Sequence, residues 1–390
     1  MQYRATFARA AKLLTLLAVT AAAIGVAAPP AQAAGTASMT ATAYLTTRAQ
    51  AVLPGASLQA LRSSFDTGSP QAVRESAIAR GCGLAAQGVG HRIVAVDCQV
   101  AVVSAAVSPI GDSATVVAHA ITMITWRGTN GGTSQEGAGI DHTIRLVRRA
   151  GRWLVIADTY LDDQTPRYLE AAGATPAVVQ GAARRLETAA TVIRPCVAPL
   201  SPIAPAALAG EPADGPSVLR PLLGYATYDS AAAKAYADKY CLTYNPTYMA
   251  YSADCANFAS QTMFAGKMPQ VPGDYENGWL YNKHGTSSPS DDTCSHPWIA
   301  VMRQMAVWNG RYTDARSTIS ELGKGDYIYY DWTGDGVWDH VAEVVGTNSS
   351  GQYVVDAHTT DHYHTFWKMG SSSTKYRYAH TRAKVQLPTL

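Results

Sequence analysis

Asp254-Cys255-Ala256-Asn257-Phe258-Ala259-Ser260-Gln261 puts a cysteine at the point where a helix should begin. Ala256, Phe258 and Ala259 give that helix an apolar side, while Asn257, Ser260 and Gln261 are polar. Eighty residues on, Val337-Trp338-Asp339-His340-Val341-Ala342-Glu343-Val344-Val345-Gly346 offers a histidine at the start of a strand-like run. Amide hydrolysis needs an activated nucleophile, a proton shuttle and a donor for the oxyanion. A free thiol titrates near about 8.5 and is lowered by a helix N-terminus or a neighbouring imidazolium. Cys255 has both in prospect, with its own backbone amide as an oxyanion donor. His340 is then the expected base. Along its strand Val341, Glu343 and Val345 share one face, and Ala342, Val344 and Gly346 share the histidine's own.

A third group must hold the imidazole. Asp356 and His358 lie two apart and so on one face of the following strand. A carboxylate and a neutral imidazole can each accept the ring N–H, so both stay open.

Around this pair the chain reads as two domains plus processing segments. It has 390 residues, 47% hydrophobic and 15% charged, with a net charge of +2. That balance gives no basic footprint for nucleic acid. Arg4, Arg9 and Lys12, an apolar run from Leu13 to Val26 and Ala31-Gln32-Ala33 form a secretory leader over residues 1–33. A secreted, extracellular protein is expected, without a transmembrane segment once the leader is cleaved. The alternative is a membrane anchor.

Export implies an oxidising setting for the six cysteines. Bridges Cys82–Cys98 and Cys241–Cys294 are expected, leaving Cys196 over and Cys255 free. Connectivity is not fixed by sequence, and pairing of all six would leave no nucleophile.

Residues 34–50 read as a frayed entry segment. Leu58 to Ala79 has helical spacing broken at Gly68-Ser69-Pro70, and strand-like runs follow at 91–107, 113–127, 141–149 and 151–161. A helix and then long antiparallel strands over 45–165 resemble the curved-sheet α+β domains of the nuclear transport factor 2 or cystatin-like kind, which serve as accessory modules. His91, His119 and His142 are scattered there as structural or surface residues. Residues 166–222 form a linker, helical at first and then Pro/Ala-rich from Ala198 to Ser217. The domain from 223 to 385 opens with a helix over Tyr228 to Tyr240, capped by Asp229 or Ser230. Lys267 to Pro297 is too long for a plain connection and reads as a substrate-facing loop. Helices first and antiparallel strands afterwards make an α+β domain.

Asp331-Trp332-Thr333-Gly334-Asp335-Gly336-Val337-Trp338-Asp339 places Asp331, Thr333, Asp335 and Asp339 at alternating positions, as in the first part of a calcium loop. Ala342 stands where the closing glutamate belongs. A structural calcium and an Asx-rich turn that aims His340 are both open, and no cofactor is required for the chemistry.

Five pieces in order resemble a known family: Tyr228 to Ala237, Tyr244-Asn245-Pro246-Thr247-Tyr248, Asp254 to Gln261, Gly325-Asp326 with Asp339-His340-Val341-Ala342, and His358-Thr359-Thr360-Asp361. They are similar to the putative amidase domain of bacterial secreted proteins, a branch of the papain-like and NlpC/P60-like hydrolases. The resemblance implies Cys255 as nucleophile, His340 as base and His358 as orienting residue, with Asp356 the alternative. It implies a second oxyanion donor from Asn245 or Tyr248, and Asp254 and Asp361 as residues that fix loops or caps. The expected substrate is a peptide or amide, with peptidoglycan a natural candidate. The rival is a catalytically silent secreted binding or cell-wall module with Cys255 in a disulfide.

Overall fold

Long antiparallel ladders dominate a mixed α+β architecture. The computed structural model describes residues 31–190, 224–286 and 288–387. The chain divides into two units, the first ending at Val179 and the second starting at Gln180.

In the first unit the strands His91–Val107, Ser113–Gly128, Thr133–Arg149 and Arg152–Thr159 pair each with the next, all antiparallel. Ala150 and Gly151 both take positive φ, 46° and 79°, which closes the last hairpin as a two-residue turn. Register shifts between Ile93 and Ala95 and between Val102 and Ser104 mark bulges, which bend a strand. The third strand begins eight residues earlier than its Val/Ile content announced, in a glycine-bearing run. Two helices, Leu58–Arg62 and Pro70–Gly88, flank the expected Gly68-Ser69-Pro70 break.

The frayed entry segment is instead a helix, Ala31–Gln50. Ala37, Ala41, Tyr44 and Leu45 are buried in the core that includes Val116, Ile144, Leu146 and Val155. Small alanines at helical spacing let it lie close to the sheet, although they give no strong apolar stripe. Residues 1–30 of the expected leader lie outside the described residues. His142 is buried and pairs with Asp158 at 3.0 Å, His119 lies 2.8 Å from Asp141, and His91 is buried beside Trp126.

The expected linker begins with the helices Thr165–Ala171 and Pro176–Ala190, and its Pro/Ala-rich stretch lies outside the described residues. In the second unit the sheet runs in the order Asp361–Phe366, Tyr353–Ala357, His340–Thr347, Asp326–Asp331, Lys375–Thr381, Thr313–Arg316, antiparallel throughout. Helices Ser230–Tyr240 and Cys255–Ala265 belong to the same unit, and the Asp229 carboxylate caps the first by accepting from Ala232 N at 3.0 Å. Much of the expected Lys267 to Pro297 loop is core. Trp279 and Leu280 are buried, Trp279 pairs with Val271, and Tyr281–Asn282 pairs with Thr293–Cys294. Its aromatic residues prefer the interior to solvent, so Trp279 stacks on Trp298 at 5.0 Å.

Neither expected disulfide forms. Cys82, Cys98 and Cys241 are free thiols. Cys82 packs beside Ile93 and Trp126. Cys98 lies five residues further along the strand, roughly 16 Å away and far beyond bridging distance. Cys241 packs with Phe258 and Val354, whereas Cys294 belongs to the Trp279 cluster with Ala256 and Ala259, so the Cys255–Ala265 helix lies between them. Cys294 is disulfide-bonded, though not to Cys241. Cys196 lies outside the described residues.

Gly325 enters the sheet with φ 84°, and a Cβ there would stand 2.8 Å from both Tyr228 Oη and Ser230 Cβ. Tyr228 Oη donates to the Gly325 carbonyl at 2.7 Å. Gly325→Ala is therefore expected to lower unfolding stability by about 1–3 kcal/mol in urea denaturation. An unchanged midpoint would show that this join yields freely.

Candidate active site

Every residue from Cys255 to Met263 is buried, so the helix is an interior rod rather than an amphipathic surface element. Its polar side chains must then find partners inside. Asn257 Nδ2 donates to the Met249 carbonyl at 2.8 Å and to Asp254 Oδ1 at 2.9 Å, and Asn257 Oδ1 accepts from Trp298 Nε1 at 2.9 Å. Ser260 Oγ donates to the Trp298 carbonyl at 2.8 Å and accepts from Trp279 Nε1 at 2.9 Å. Gln261 Oε1 accepts from Tyr236 Oη at 2.6 Å. The polar face read from the sequence is thus a set of internal clamps.

At the start of this rod Cys255 is 4% exposed and is a free thiol. The backbone amide of Val341 and the Thr359 hydroxyl lie beside its sulfur and favour the thiolate. The Val341 amide is one half of the peptide link to His340, so the sulfur lies against the His340–Val341 peptide unit. The Cys255 helix and the His340 strand meet at this junction, Val341 packing in one cluster with Cys255 while the His340 side chain alternates to the other face of the strand. Burial pushes the thiol up to about 11, and the Val341 amide and Thr359 hydroxyl offset only part of that. The depressed thiol expected from the helix terminus is therefore not the resting condition, because desolvation outweighs the amides.

His340 is buried, with its ring 5.5 Å from that of Tyr330 and 5.4 Å from that of Trp332. Tyr330 is its cross-strand partner, so the two side chains share a face. This aromatic wall was missed from sequence, although the alternation in Tyr327-Ile328-Tyr329-Tyr330-Asp331-Trp332 carries the signal.

The two candidates for orienting His340 sit elsewhere. Asp356 is the cross-strand partner of Glu343, three residues along from His340 and hence on the opposite face of that strand. Its Oδ1 accepts from His364 N at 2.6 Å. His358 is buried and sandwiched by Phe258 at 4.1 Å and Tyr244 at 4.4 Å. Its Nδ1 faces Asp254 Oδ2 at 2.7 Å and its Nε2 faces the Tyr240 carbonyl at 2.9 Å. With an acceptor at each nitrogen the ring is an imidazolium. Burial opposes that charge, but the Asp361 and Asp254 carboxylates outweigh it and hold the pKa above the ordinary value.

Beside His358 stands Thr359, with φ 88°, in the left-handed region that a β-branched residue avoids. Its Oγ1 accepts from Asp254 N at 2.9 Å and from Cys255 N at 3.1 Å. The Cys255 amide expected to serve an oxyanion is thus engaged by this oxygen, together with the Asp254 amide. Nothing in a sequence pattern singles out such a threonine. Of the other oxyanion candidates, Asn245 Nδ2 donates to Tyr236 Oη at 2.8 Å, and Tyr248 packs between Tyr281 and Trp298.

In the candidate calcium loop, Asp331 accepts from the amides of Gly334, Asp335 and Gly336, Asp335 from that of Val337, and Asp339 from that of Trp332. These carboxylates are engaged by the loop itself, as an Asx-rich turn requires. Thr333 Oγ1 is buried without a hydrogen-bond partner.

Residues 227–380 match the family model described as "Putative amidase domain". An uncharacterized protein of Bacillus subtilis (strain 168), YhbB, is 29% identical over 164 residues, 39% of this chain and 50% of that protein. The chain thus spans about half the length of this curated relative. A crystal structure of the intermembrane space region of the chloroplast protein ARC6 aligns with 33% of this chain and 95% of its own, at 15% identity and a TM-score of 0.26. That score carries no argument about the fold. The family match points to hydrolysis of amides as the general activity.

Two outcomes follow from the charge states. Alkylation of Cys255 by iodoacetamide, mapped by mass spectrometry, should accelerate about tenfold per pH unit from pH 6 to 9, since only the thiolate reacts. A plateau at neutral pH would mean a lowered thiol instead. His358→Gln should lose about 3–5 kcal/mol of stability at pH 6, the cost of leaving a buried ion pair one-sided. Because the folded pKa is raised, the wild type holds this stability below about pH 6.5 and loses it as pH rises through the folded value. Equal stability of the two proteins at pH 6 would contradict the imidazolium.

Proposed function

We propose that the second unit is the catalytic domain of an exported cysteine hydrolase of papain-like (NlpC/P60-like) type, acting on amide bonds in peptides. The first unit is its accessory module. Cell-wall stem peptides are the substrates to try first. The observation that carries the reading is the free Cys255 thiol at a helix N-terminus, beside the peptide unit that joins His340 to its strand.

In this reading His340 takes the thiol proton as the sulfur attacks the substrate carbonyl carbon. The carbonyl oxygen becomes an oxyanion and occupies the place of Thr359 Oγ1, between the amides of Asp254 and Cys255. The C–N bond then breaks, and the leaving amine takes the proton from His340. Water, deprotonated by His340, hydrolyses the thioester and restores the thiol. A resting thiol near 11 makes the base indispensable: without His340 the nucleophile stays protonated at neutral pH. Tyr330 and Trp332 position the imidazole, while Asp254 and His358 fix the turn that carries Thr359.

Mass spectrometry of digests of purified peptidoglycan and of peptide libraries tests the activity and its substrate class together. Cleavage of amide bonds is expected, abolished in Cys255→Ala and reduced about 10⁴-fold or more in His340→Ala. Cleavage that survives Cys255→Ala would remove the thiol from the chemistry.

A further inference from the structure

On the side of the second unit's sheet away from the His340 ring, two carboxylates and an imidazole meet, with a thiol close by. Asp238 stands near the end of the Ser230–Tyr240 helix, with Cys241 just past it. Asp356 comes from the Tyr353–Ala357 strand and His364 from the Asp361–Phe366 strand. One ligand atom from each of Asp238, Asp356 and His364 lies within 4.8 Å of the others. His364 Nε2 is 2.9 Å from Asp238 Oδ1. Ligands on a tetrahedral zinc ion at about 2.0–2.2 Å stand roughly 3.3 Å apart, so little closure is needed. The Cys241 thiol lies against the Asp356 carboxylate.

The carboxylates at this place are poorly matched. Asp356 and Glu343 are cross-strand partners and neither is exposed to solvent. Asp356 Oδ2 is buried without a hydrogen-bond partner, with the Cys241 thiol close to the carboxylate. Neither oxygen of Glu343 has one, with the Thr262 hydroxyl alongside. Buried carboxyl oxygens without partners are costly and call for an explanation. The nearby cation is Lys234, which holds Asp238 Oδ2 at 2.5 Å and leaves Oδ1 toward the cluster.

We propose that Asp238, Asp356 and His364 form a structural site for a divalent cation of the zinc type. An imidazole nitrogen beside two carboxylates suits such an ion better than magnesium or calcium. Lys234 then acts as the outer partner that fixes a ligating carboxylate, as metal ligands commonly require. Asp238 and His364 are about one-third and one-quarter exposed at their side chains, which gives the ion an entrance, whereas Asp356 and Cys241 close the inner end. His364 adopts φ 49°, a conformation that directs its backbone N–H to Asp356 while its ring reaches Asp238. Asp356 and His364 flank the turn with His358 and Thr359, so an ion here would brace the segment that meets the amides of Cys255. This site stands independently of the hydrolase reading.

Zinc content of the full chain tests it, measured by inductively coupled plasma mass spectrometry after equilibration with zinc and exhaustive dialysis. Cys255→Ala serves as the parent, so that the thiol at the candidate active site cannot capture the metal. One zinc per chain is expected, with a fall in Tm of several degrees when a chelator strips it. Asp356→Asn and His364→Gln should each lose the zinc and the chelator response. Asp238→Asn, at a half-buried position, provides the same readout if those variants fail to fold by near-ultraviolet circular dichroism. A parent that retains no zinc, or equal zinc in parent and folded variants, overturns the site.

Discussion

Burial of the Cys255–Ala265 helix from Cys255 to Met263 is the constraint on which the second unit depends. A rod with no solvent face cannot leave a hydroxyl, amide or carboxylate unmatched, because each orphan costs on the order of 1–3 kcal/mol. Asn257, Ser260 and Gln261 are consequently tied to Met249, Trp298, Trp279 and Tyr236, which come from four different segments. Those ties fix the rotation and depth of the helix more sharply than apolar packing alone, which is tolerant of small slides. At the amino end the same demand is met by the Asp254–His358 ion pair and by Thr359. The thiol is held in register with the His340 strand as a result of this satisfied interior.

Charge follows the same logic. His358 stays protonated because two acceptors and two carboxylates surround it, while Cys255 stays neutral because its burial outweighs the amides and the hydroxyl beside its sulfur. Two buried groups on either side of Thr359 thus rest in opposite conditions. The helix terminus supplies dipoles to the sulfur, yet dipoles of this size do not repay the loss of water around a thiolate.

Much of this was legible in the chain. The Cys255 and Tyr228 helices, the long ladders of the first unit and the strand bearing His340 all announce themselves by period and by turn residues. The Ala31–Gln50 helix did not, since alanine and threonine pack against a sheet without producing a strong apolar stripe. The Lys267 to Pro297 stretch looked like a loop because its prolines and polar residues mask two buried aromatic anchors, Trp279 and Tyr281. Cys255 and His340 could be picked out as residue types. The partners of His358 could not, because Asp254 lies 104 residues away and the pairing exists only after the fold has formed. A threonine in the left-handed region is equally invisible, as it runs against every local preference.

Thr359 has one more implication. Its oxygen is an internal ligand already seated on two backbone amides, present at the millimolar or greater effective concentration of any short tether. In the proposed reaction an acyl compound that approaches Cys255 must evict it, so occupancy of the two amides is a competition rather than a filling. A small aldehyde or nitrile, which brings little beyond its electrophilic carbon, is poorly equipped for that contest. Longer compounds that grip the walls on either side can spend the surplus contact on displacement, and discrimination among them is thereby shifted from the reacting carbon to its flanks.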